Sequence, residues 1–96
     1  MSVEIKIPLL AGSRERARQL FDGIPDNLDG VPVILNGNNA VASAASFADE
    51  LVVELLLRRN AFELRPIGCA TADVMGFLRE RAAHHGVSDR VQESDG

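Results

Sequence analysis

The most constraining stretch of the chain is a short apolar run, Val31 to Leu35, set between two turn signals and followed closely by a helical repeat. Asp29-Gly30 precedes it, Asn36-Gly37-Asn38-Asn39 follows it, and Pro32 falls among its first residues. A nearly unbroken apolar run between turns predicts a strand covered on both faces, with proline tolerated at its start. From Ser46 to Asn60 the spacing changes. At about 3.6 residues per turn, Ala48, Leu51, Val52 and Leu55 fall on one stripe, with Phe47 and Leu56 at its margins. That stripe is expected to face the sheet. Asp49, Glu50, Glu54 and Arg58 fall on the opposite arc, with Val53 and Leu57 among them. Two apolar side chains one turn apart in a charged arc read either as scattered surface hydrophobes or as the centre of a partner contact.

The rest of the chain supplies similar units. Val3-Glu4-Ile5-Lys6-Ile7 alternates with period two, and Pro8 marks its end, which predicts a half-buried strand near a sheet edge. Ser13 is a candidate N-cap for a helix whose Ala17, Leu20, Phe21 and Ile24 share one face. Phe62 to Ile67 alternates as a third strand. A third helix is expected to start near Thr71 and Asp73, to bury Val74, Phe77, Leu78 and Ala82, and to end at His84, His85 and Gly86. Ser88 to Gly96 is polar and expected to fray. The predicted fold class is α/β: one small domain over residues 1–87 in βαβαβα order, with a mainly parallel or mixed sheet and helices packed on it.

Composition bounds the function. At 96 residues and 46% hydrophobic, the chain can bury one core. The net charge of −4, with ten Lys and Arg spread among fourteen acids, argues against a nucleic-acid partner, which needs a clustered basic face. Trp and Tyr are missing, which removes the usual base-stacking platform. No apolar run has the length of a membrane span, and the first residues lack the basic-then-apolar pattern of a secretion signal. A cytoplasmic protein is expected, with no membrane partner. Cys69 is the single cysteine, so an internal disulfide is excluded and a cysteine zinc site is not expected. His84 and His85 read as helix-end residues rather than metal ligands.

The chemistry concentrates at the start of the second helix. Ser46-Phe47-Ala48-Asp49 fits a variant capping box, in which hydroxyl and carboxylate each reach the other's backbone amide. A serine at such a position is also an acceptable phosphorylation site, because the helix terminus welcomes an anion while Asp49 and Glu50 repel it. Asp49 and Glu50 are adjacent, so on a helix they diverge by about 100° and cannot converge on one bond as an acid/base pair. Cys69 with His84 or His85 lacks a recognisable third group for a thiol site. A non-enzymatic protein with no cofactor is the expectation. The alternative is a small-ligand or nucleotide module using the Asn36 to Asn39 turn and the amides after Ser46.

Val33-Ile34-Leu35-Asn36-Gly37, followed by Ser43-Ala44-Ala45-Ser46-Phe47-Ala48-Asp49-Glu50-Leu51, resembles the serine-phenylalanine-alanine-aspartate-glutamate-leucine signature of the uncharacterised STAS-like domain family, which is related to bacterial anti-sigma factor antagonists. Gly12-Ser13-Arg14-Glu15 with Ala17 and Leu20 resembles that family's first helix, so the likeness runs from Ala11 to Gly68. The resemblance implies a STAS-like fold and a regulatory role through a protein partner, an anti-sigma factor or a histidine-kinase-like ATPase. By position, Ser46 resembles the serine phosphorylated in the antagonists, with Ser43 the second candidate. Partner contacts are then expected from Ser46, Asp49, Glu50, Val53 and Leu57.

Overall fold

Side-chain alternation decides how the sheet is used. A computed structural model of the chain describes residues 2–38, 42–68 and 74–92. Strand β1 (Val3–Lys6) pairs in parallel with β3 (Pro32–Asn36), and β3 pairs in parallel with β5 (Glu63–Ile67), giving the order β1-β3-β5. Ile5, Val33, Leu35, Leu64 and Pro66 are buried. Glu4, Lys6 and Arg65 between them are exposed, Ile34, Asn36 and Ile67 are half-buried, and Glu63, paired with Arg65, is the buried exception. One face of the sheet therefore carries the core and the other stays open. The strand expected to be covered on both faces is covered on one. The reason is topological: successive right-handed crossovers that step in a single direction, β1 to β3 to β5, place their helices on the same side.

The crossover helices are α1 (Arg14–Gln19) and α2 (Ala45–Val52); α3 (Val74–His84) follows β5, and α2 packs against both others. The predicted α2 stripe holds throughout. Phe47, Ala48, Leu51, Val52, Leu55 and Leu56 are all buried at 1% exposure or less. Each large side chain of that set is worth roughly 1.5–3 kcal/mol of transfer free energy. Beyond Val52 the chain widens into a π-helical segment, Val53–Arg58, in which the Arg59 amide bonds back to the Glu54 carbonyl at 3.0 Å. Helix α1 is shorter than its apolar spacing predicts, ending at Gln19. Phe21 and Ile24 follow in turns, and the Arg59 guanidinium sits over the Phe21 ring at 5.4 Å.

Two further short strands, β2 (Leu10–Ala11) and β4 (Ala42–Ser43), form a separate parallel pair ahead of α1 and α2. The element order is thus richer than strict strand-helix alternation. The predicted cap Thr71 and the first-turn acid Asp73 lie outside the described residues, as does Cys69. The polar chain end, where it is described, is docked against the sheet. Ser88–Arg90 makes a 3-10 turn, Val91 bridges Leu64, and the Gln92 amide donates to the Leu64 carbonyl at 2.8 Å. This segment lies along the outer edge of β5. Pro66 fits there because, with the Ile67 carbonyl accepting from Gly37 and that of Leu64 from Gln92, even-numbered residues of β5 direct their backbone groups away from β3.

Candidate functional site

Helix α2 starts earlier than its serine signal predicts. Its N-cap is Ala44, in extended conformation and without a side-chain cap bond, so Ser46 is the second residue inside the helix rather than its cap. The capping box does not form, because Ser46 lies past the cap position, and the Asp49 carboxylate bonds to other helices. Ser46 itself is half-buried. Ser43 contributes its backbone to β4, and its side chain lies outside the described residues.

Asp49 and Glu50 were expected on a solvated arc, and the structure corrects this: they are 8% and 5% exposed. Neighbouring helices cover that arc. From α1, Arg14 donates to Asp49 Oδ2 at 2.7 Å and to Glu50 Oε2 at 3.4 Å, and Arg18 donates to Glu50 Oε1 at 3.4 Å. From the end of α3, Arg81 donates to Asp49 Oδ1 at 3.1 Å, and His85 Nε2 lies 2.8 Å from the same oxygen. Burial pushes the Asp49 carboxyl up, but the hydrogen bonds from Arg14 and His85 and their charges outweigh it and hold it below its ordinary value. Hydrogen bonding to Asp49 in turn raises Arg14. The two acids clamp α1 and α3 onto α2.

This cluster was missed by reading helices one at a time. A signal was present, since Arg14 and Arg18 stand four apart on α1 and Arg81 and His85 four apart at the end of α3, each pair on one helical face. A second polar anchor is Arg59, which donates to Glu54 at 2.7 Å and to the Ile24 carbonyl at 2.8 Å. Glu54 is pushed up by burial, yet the bonds from Arg59 and Arg58 hold it below its ordinary value.

Of the proposed contact residues, Asp49 and Glu50 are covered by α1 and the end of α3, and Ser46 is half-buried. Val53 is half-buried, and Leu57, 45% exposed, lies at the far end of the helix from Ser46. Five residues further along the chain stands Phe62, which alternation placed in the third strand without a further role. Phe62 is 59% exposed, just past the turn into β5. It lines an open cleft of about 350 Å³ with Asp29, Gly30, Asn60, Ala61 and Arg90. The cleft's polar rim is internally bonded: Asn60 Nδ2 donates to Asp29 Oδ1 at 3.1 Å, and Arg90 reaches Asn60 Oδ1 at 3.3 Å as well as the Ala61 carbonyl.

In the turn after β3, offered as a ligand loop, the Asn36 side chain is engaged within the protein. Asn36 Oδ1 accepts from the Asn38 amide at 3.0 Å and its Nδ2 donates to Glu4 at 3.0 Å, while Asn39 lies outside the described residues. No group of three metal-ligating side chains occurs among the described residues, and none of the described helices is long and apolar enough to cross a membrane. Comparison with protein-family models, with curated proteins and with solved structures found no match to the chain.

Proposed function

We propose that the chain is a non-enzymatic regulatory module that binds a protein partner where the long helix runs out, on Leu57 and Phe62. The observation that carries this is the exposure of two large apolar side chains, 45% and 59%, on either side of one helix-to-strand turn. Exposed apolar groups can mark a protein contact, and an aromatic side chain such as Phe62 at the lip of a cleft suits an anchor there. Catalysis is less favoured, because the oxygens of Asp49 and Glu50 are already taken by Arg14, Arg18, Arg81 and His85.

The STAS-like resemblance supplies the partner class, an anti-sigma factor or a histidine-kinase-like ATPase, and the parallel α/β sheet is compatible with it. It also supplies a regulatory site. Ser46 stands one helical turn before Asp49 and Glu50, so a phosphate there would bring about −1.5 to −2 charge to the carboxylates that hold Arg14 and Arg18. Modification would compete for those arginines and loosen α1 from α2.

The test is binding of a purified anti-sigma factor or histidine-kinase-like ATPase from the same host, measured for the wild type, Leu57→Arg, Phe62→Ala and Ser46→Asp. Leu57→Arg and Phe62→Ala are each expected to weaken binding by about tenfold or more while leaving the thermal midpoint nearly unchanged. Wild-type affinity in both would remove this docking site. Ser46→Asp is expected to speed amide exchange in α1, and unchanged exchange would count against the switch.

A further inference from the structure

The sheet has two outer edges, and they are treated differently. That of β5 is covered by the bridge from Val91 to Leu64 and the bond from Gln92. That of β1 pairs with nothing on its outer side among the described residues. Which backbone groups it offers follows from the ladder. The Ile7 amide donates to the Asn36 carbonyl at 2.8 Å, with Lys6 in register with Asn36, so Ile5 and Ile7 bond towards β3. In a parallel ladder the intervening residues point their N–H and C=O the other way. Glu4 and Lys6 therefore present free backbone donors and acceptors at the open edge.

Their side chains carry opposite charge and are both exposed, on the open face of the sheet. Asn36 Nδ2 holds Glu4 through Oε2 at 3.0 Å, and Lys6 has no carboxylate partner among the described residues. An antiparallel neighbour can exchange two hydrogen bonds only with residues whose backbone points outward. For a second copy about a twofold axis, three registers pair outward residues of the strand itself, Glu4 and Lys6, with one another. Centring on Glu4 sets two carboxylates opposite each other, and centring on Lys6 sets two ammonium groups opposite each other, both destabilising. Centring on Ile5 pairs Glu4 of each copy with Lys6 of the other, twice. Backbone polarity and charge agree on that register alone.

We infer that β1 is a self-recognition edge: two copies join antiparallel along β1 about a twofold axis at Ile5, with Glu4 of each opposite Lys6 of the other, making one six-stranded sheet. The occupant is a second copy because the edge is complementary to itself. This interface is separate from Leu57 and Phe62 and does not depend on the proposed partner.

The experiment is sedimentation across a protein-concentration series for the wild type, Glu4→Lys, Lys6→Glu, the double exchange Glu4→Lys/Lys6→Glu, and an equimolar mixture of the two single variants. Circular dichroism shows that each variant is folded. The wild type is expected to dimerise with rising concentration. Each single variant sets like charges opposite each other twice and is expected to associate about tenfold more weakly. The double exchange restores both pairs and with them the dimer. The mixture also dimerises, because an all-lysine edge then meets an all-glutamate one. A wild type that stays monomeric throughout would overturn the inference, and so would single variants that dimerise like the wild type or a double exchange no better than the single ones.

Discussion

At Asp49 two opposing influences meet on one carboxylate, and the cations win. Its folded-state value is depressed, so its ion pairs contribute stability that is full above the ordinary carboxylate range, about 4, and is lost as pH falls through the lower folded value. Asp49→Asn removes the charge and leaves Arg14, Arg81 and His85 facing a neutral amide, at a cost of about 2 kcal/mol at neutral pH. Denaturant unfolding at a series of pH values should show the gap between wild type and variant shrinking on acidification. Two curves that stay parallel down to acid pH would mean that the depression is not there. The sequence located Asp49 and Glu50 on the right helix and on the arc away from the sheet, but assigned that arc to solvent. Helical spacing tells which residues share a face. It does not tell whether another helix lies on that face, and here two do.

Among the elements, α1 depends most on its surroundings. Six residues make fewer than two turns, far below the length at which an isolated helix persists, and Ala17 is its buried residue. What holds it is the Ser13 hydroxyl, which accepts from the Arg16 amide at 3.1 Å, together with the ties from Arg14 and Arg18 to α2. Ser13→Ala is expected to cost about 1 kcal/mol. By hydrogen exchange the amides of α1 should open well before those of α2, and the variant should widen that difference; uniform protection across both helices would contradict it. The Ser13 cap was legible because a serine after glycine and before a charged amphipathic run has few other uses. The start of α2 was not, since Ala44 caps it with no side-chain signal at all. Its widening at Val53–Arg58 was equally invisible, because the register there is set by where Arg59 anchors, to Glu54 and to the Ile24 carbonyl.

Across the whole molecule, composition and periodicity foretold an α/β domain with a mainly parallel or mixed sheet, and Ile5, Val33, Leu35, Leu51 and Leu64 all take buried places. What they left open was the number of covered faces, which depends on the direction in which the strands are laid down. They also assigned no role to the end of the described chain. Removing residues after Val87 is expected to lower stability by about 2 kcal/mol and to raise light scattering on heating, since Val91 packs on the core and Gln92 closes the edge of β5. An unchanged melt and unchanged scattering would show that the segment only rests there.

The register also bears on how fast the sheet can assemble. Val3 pairs with Val33 and Val33 with Leu64, separations of 33 − 3 = 30 and 64 − 33 = 31 residues. Neither ladder is a hairpin that could zip up locally. Each requires closing a long loop before its first hydrogen bond forms, and that conformational entropy is lost before any contact compensates it. Because β3 is the partner in both closures, the kinetic bottleneck of the sheet falls on its five residues, Pro32–Asn36.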